Sequence, residues 1–192
     1  MLTQRMFLML LLLICSGVSA QAQREPEISP LHPKNRLAKA LEELRTAEDQ
    51  WRLSPLRQAA MASIDLEQLE QAQKYTDDLE ETANRVEFGH NADVVHWLNI
   101  LRGRLALRQD KLEEARKYLL KAGEVKGSPV LGSFGPNMKL AKELLEKNER
   151  EVVLQYFALC AKFWMHEDDT LKQWTQEVSE GKMPNFGGNL YY

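Results

Sequence analysis

The chain has 192 residues, with 25 Lys and Arg against 28 Asp and Glu, for a formal net charge of −3. That balance offers no electrostatic case for nucleic acid as a partner. The length is enough for one domain with a continuous core.

The first stretch, MLTQRMFLMLLLLICSGVSAQAQ, carries Arg5, an apolar run from Met6 to Cys15, and then small residues. It reads as a secretory signal peptide, residues 1–22, too short to span a bilayer comfortably. Cleavage after Ala20 or Ala22 fits the small residues there. Lipidation at Cys15 is disfavoured, because Ile14 stands where a lipobox needs a small residue. Removal of the segment deletes one positive charge, Arg5, and takes the net charge from −3 to −4. Cys160 is then the one remaining cysteine, which excludes an intramolecular disulfide. The expected chain is exported, to the periplasm or beyond, with no membrane span after cleavage.

Residues 23–34 hold Pro26, Pro30 and Pro33 among polar residues and read as an extended linker. Asn35 can cap a helix over 36–53, with Leu37, Leu41, Leu44 and Trp51 on an imperfect apolar face. Ser54-Pro55 reads as a restart, a cap followed by proline at the first helical position. A short Ala- and Met-rich helix to Ile64 follows. The next helix, over 65–85, turns Leu66, Leu69, Ala72, Tyr75 and Leu79 inward. A loop is expected over 86–92.

The central segment, residues 93–122, organises the rest. Val94, Leu98, Leu101 and Leu105 share one helical face, with Asp93 as a candidate cap. The chain breaks at Gln109-Asp110. Leu112, Ala115, Leu119 and Ala122 repeat the pattern, and Gly123 offers a left-handed helix end. Gly103 costs roughly 1 kcal/mol against Ala in mid-helix, which points to a close approach by the second helix.

The loop EVKGSPVLGSFGPN, with three Gly and two Pro, argues against a regular helix across it. Its Val130, Leu131 and Phe134 predict an ordered loop folded against the helices. A third hairpin starts at Pro136-Asn137 and turns at Asn148. A terminal helix bears Leu171, Trp174 and Val178. The tail over 183–192 is Gly-rich but aromatic, and is expected to lie on the domain of residues 35–182.

Ala72, Ala115 and Val153 fall in equivalent slots, 43 and 38 residues apart. Together with LRGRLALRQDKLEEARKYLLKAG, this pattern resembles the tetratricopeptide repeat (TPR), a helix-turn-helix unit of ~34 residues. Arg102, Ala106 and Thr76 depart from it. The segments GSPVLGSFGPNMKLAKELLEKNEREVVLQYFALCAKFW and the closing W-x6-G-x-x-P-x-F-G-x-N-L resemble a family of exported bacterial TPR proteins without an established activity. The resemblance implies an all-α fold: a right-handed stack of antiparallel hairpins, about seven or eight helices in all. It also implies a concave groove lined by the first helix of each unit.

Aligning Ala60, Gly103 and Ala141 as equivalent small positions turns Arg57, Met61, Trp97, Arg104, Arg108, Met138 and Lys142 toward that groove. Arginines can fork onto carboxylates, while Trp and Met give adaptable apolar contact. The expected activity is binding of another polypeptide, acidic in character. An assembly role through self-association, or service as an accessory to an envelope enzyme, are the alternatives.

No catalytic chemistry is expected. His90 and His96 lack the spacing of a zinc helix. His166-Glu167-Asp168-Asp169 lacks the alternating ligands of a calcium loop. The Gly-rich loop carries no Lys-Ser/Thr for phosphate. Cys160 reads as a core residue. No cofactor or metal is implied.

Overall fold

The computed structural model describes residues 29–87, 91–164 and 168–191. The signal-peptide expectation and most of the linker, as well as His90 and His166, lie outside them. The described residues form nine α-helices: α1 (Pro33–Thr46), α2 (Asp49–Asp65), α3 (Leu69–Arg85), α4 (Ala92–Arg108), α5 (Leu112–Gly123), α6 (Pro129–Phe134), α7 (Lys139–Glu146), α8 (Arg150–Cys160) and α9 (Asp168–Ser179). A 3-10 turn over Gly187–Leu190 follows, and no strand occurs among the described residues. No described helix is long and apolar enough to cross a membrane.

The helices pack in neighbouring pairs, and three pairs are built alike. The turns α2–α3, α4–α5 and α7–α8 each place one residue in the left-handed region: Glu67 (φ 57°), Asp110 (φ 57°) and Asn148 (φ 65°). The hydrogen bonds repeat with them. Gln68, Lys111 and Glu149 donate their N–H groups to the carbonyls of Ser63, Ala106 and Leu144, at 2.9, 2.9 and 3.0 Å. Glu67, Asp110 and Asn148 donate to Ile64, Leu107 and Leu145. This is the Schellman arrangement, which satisfies the last carbonyls of a helix before the chain reverses. Ala72, Ala115 and Val153 each sit early in the second helix of a pair and are fully buried. The first helices line up, with α4 packed between α2 and α7. That row carries the groove residues expected from the sequence.

Gly103 marks one close approach in the row. A Cβ there would lie 2.2 Å from Leu140 Cδ2 and 3.1 Å from Tyr118 Cβ. So both α7 and α5 press on this point of α4. Gly123 has a similar role and does not end its helix in a left-handed conformation. Its missing Cβ would lie 2.8 Å from Leu159 Cβ on α8. The helix stops one residue later, at Glu124.

Several boundaries differ from the sequence expectation for physical reasons. The first break falls at Ala47-Glu48, and Pro55 lies inside α2. The N–H that Pro55 lacks would have served the exposed turn at Trp51, so its loss is tolerated. His32, not Asn35, caps α1, because Pro33 takes the first helical position. Asn91, not Asp93, caps α4, accepting from the Val94 N–H at 3.0 Å. The Gly/Pro loop contains a helix after all. Ser128 caps α6, Pro129 occupies its first position, and Gly135 (φ 79°) ends it. The residues read as breakers are the start and stop of one short helix.

The core runs through all three pairs and on to α9 and the tail. There Trp174 meets Phe186 edge-on at 5.0 Å and Trp164 at 5.7 Å. Cys160 is buried in the same region, and burial pushes its thiol well up. It is a small apolar core group rather than a nucleophile.

Candidate binding site

The seven residues expected to face a groove fall into two settings, joined by Met61, which meets Arg104 on one side and Arg57 and Trp97 on the other. In the first, Arg104 is completely buried, 0% exposed. Its Nε donates to both Glu143 oxygens at 3.0 Å, and its Nη2 donates to Asp65 at 2.6 Å and to Glu143 at 2.7 Å. Its Nη1 faces the Met61 carbonyl and sulfur at 3.5 Å. Arg108 pairs with Glu143 and Glu67, both at 3.0 Å. Lys139 reaches Asp65 at 3.3 Å, and Arg36 closes the same carboxylate.

Burial alone would raise the Asp65 and Glu143 carboxyls. The surrounding cations outweigh it, Arg104 foremost, and hold both below their usual values. The cations on this side therefore already have their anions. Met138 is buried, and its N–H donates to the Asn189 carbonyl of the tail at 2.7 Å. Tyr191 lies beneath Arg36 and Lys139, 5.8 Å from each. Lys142 bonds Glu146 one turn along its own helix. Arg104 and Met138 are thus occupied internally, which the expectation of a partner-facing row did not include. The sequence signal it missed is the pair of acids, Asp65 and Glu143, each 39 residues from Arg104 and on either side of it.

The second setting holds Arg57 and Trp97. Arg57 projects from α2, and its guanidinium lies 4.6 Å from the Trp97 ring centroid. It is only 7% exposed. Its Nε–H is buried with no acceptor among the described residues. Burial is the main influence on it, with nearby Arg36 acting the same way, and they lower its pKa to about 10 against an opposing pull from Asp93. Asp93 is held by the Ser128 hydroxyl, which donates to it. The other buried arginines, Arg36 and Arg104, are both in ion pairs.

Arg57 and Trp97 form one side of a recess of about 390 Å³. Ser54, His96, Val130, Leu131, Phe134, Gly135 and Asn137 complete it. The volume is within the range of small-ligand sites. Val130 and Phe134 stand one turn apart on α6 and are 46% and 61% exposed. Ser128 holds that helix in place through its cap and its bond to Asp93. Behind the recess, His96 is clamped at both ring nitrogens. Nδ1 donates to the Ala122 carbonyl at 2.9 Å, and Nε2 accepts from the Asn137 N–H at 3.0 Å. It is therefore a neutral structural tie, its pKa lowered to about 4 mainly by burial. A wider cleft of about 460 Å³ beside Lys121 and Lys126 is shallow and lacks a buried polar group aimed into it.

The recess is apolar with one uncompensated cation at its edge. It can hold an apolar group and pair with a negative charge. It shows no nucleophile–base pair, and no cluster of metal-ligating side chains occurs among the described residues. Neither a family model, nor a curated protein, nor a solved structure matches the chain.

Proposed function

We propose that this chain is an exported, TPR-like helical-repeat protein that works by binding another polypeptide, through the face formed by α2, α4 and α6. The observation that carries the reading is the exposure of Val130 and Phe134 at the mouth of a recess flanked by Trp97 and Arg57. Apolar side chains presented together around a preformed hollow are the usual core of a recognition surface. The three alike hairpins and the signal-like leader support the repeat and export parts of the reading. The internally paired Arg104 and Arg108 do not line this recess.

The test is a double variant, Val130→Ser with Phe134→Ser, used as bait on envelope extracts. Thermal unfolding of the variant, measured alongside, separates a lost contact surface from a weakened fold. Two anchor residues at more than 1 kcal/mol each predict partner retention about 30-fold weaker or worse. Equal retention by variant and parent would remove this face from consideration.

A further inference from the structure

We infer that the recess between α2, α4 and α6 takes a carboxylate carried directly on an apolar group, with Arg57 as its counter-ion. The inference rests on the reading of this face as a binding surface and names the chemistry that anchors there. Three observations combine. First, Arg57 is a buried guanidinium with no ion pair or hydrogen bond among the described residues. A buried charge is ordinarily paired, so this arrangement is completed by an incoming anion. Second, Trp97 covers one face of the guanidinium at 4.6 Å and Nε is buried, so the two terminal Nη groups are the donors left for a forked pairing. Third, the walls are Trp97, Val130, Leu131 and Phe134, and both His96 nitrogens are already engaged. The remainder of the ligand therefore meets mainly hydrocarbon, with Ser54 and Asn137 the other polar side chains in the lining.

The charge of the ligand is limited as well. Among the described residues, Arg57 is the one cation that lines the recess, and Arg36, the other cation near it, is already paired to Asp65. A monoanion fits these surroundings; a phosphate dianion would lack a second cation. The carboxylate can belong to a free small acid or to the end of a polypeptide with an apolar last residue. Both present the same group.

Titration calorimetry on the purified chain tests this with 3-phenylpropionate and 3-phenylpropionamide, and with two peptides ending in Phe, one a free acid and one amidated. The free acids should bind at least about tenfold more tightly than their amides, the loss of one charge-assisted pair. Arg57→Met should abolish that preference, and Arg57→Lys should keep part of it. Arg57→Met should also leave the melting temperature of the ligand-free chain unchanged or raised, because it removes an uncompensated buried cation. A purely structural Arg57 would instead lower it. Binding by the peptide acid alone supports the chemistry and assigns the polypeptide source; binding by phenylpropionate assigns the small acid. Acid and amide binding alike, or no binding by either acid, overturns the inference. The broader reading is judged separately by partner retention in the Val130/Phe134 variant.

Discussion

Arg104→Met is expected to lower the unfolding free energy at pH 7 by about 3–5 kcal/mol, the range for removing one partner from a buried ion pair. Methionine keeps much of the side-chain volume, so little of the loss comes from a cavity. It comes from Asp65 and Glu143, whose side chains are mostly buried and which bond Arg104 through three of its donors. Without Arg104, Lys139 and Arg36 still hold Asp65, and Arg108 still holds Glu143, but Glu143 loses its forked partner and Asp65 loses its bond to Nη2.

The pH dependence follows. Both carboxyls have folded pKa values lowered from 3.8 and 4.5. Their contribution is therefore complete above those values and is lost as pH falls through the lower, folded ones. In Arg104→Met this acid-side loss should shrink, since the cause of the lowering is gone. Urea unfolding followed by circular dichroism at pH 7, and then in steps downward from the usual carboxylate range, measures both effects. A loss below about 1 kcal/mol at pH 7, the scale of an exposed pair, would mean the cluster is solvated.

His96 should make stability fall in mild acid, well before the carboxylates titrate. Its pKa drops from 6.5 to about 4 on folding. The unfolded chain therefore binds the proton first. Stability is full above pH 6.5 and declines as pH falls from there through about 4. The loss amounts to about 3 kcal/mol at 1.36 kcal/mol per unit. The geometry gives the reason: a proton on Nε2 would point at the Asn137 N–H, which already donates to that nitrogen at 3.0 Å. His96→Gln should cost about 1–3 kcal/mol at pH 7 for the disturbed buried bonds. It should also flatten the decline between pH 6.5 and 4. Equal slopes in parent and variant would place the acid sensitivity elsewhere.

The all-helical character was legible because Val94, Leu98, Leu101 and Leu105, and then Leu112, Ala115, Leu119 and Ala122, recur at helical spacing over long runs. The equivalence of Ala72, Ala115 and Val153 was legible for the same reason, and their turns prove alike bond for bond. Breakers were harder to read. Pro55 stops a helix or sits inside one depending on whether its turn is exposed, and Pro129 starts the helix it appeared to forbid.

The site was legible only in part. Counting from small residues brought Arg57 and Trp97 into one set, and the structure stacks them. The same count could not show which arginines have internal anions. Asp65 and Glu143 reach Arg104 through packing of α2 and α7 on α4, a distance of 39 residues each way with no local pattern. His96, weighed as a failed metal ligand, is a buried tie between Ala122 and Asn137. Neither residue has a sequence signal that would announce such a bond.

Photocrosslinking in cells that produce the chain tests the central claim most directly, with benzoylphenylalanine placed at position 134 or at position 142. Position 134 lies at the mouth of the Arg57 recess, and position 142 on α7, in the row first suggested by the repeat pattern. The account predicts a crosslinked polypeptide from position 134, weakened by Arg57→Met, and none from position 142. Capture from position 142 with none from position 134 would contradict it and return the binding surface to the α7 side of the row.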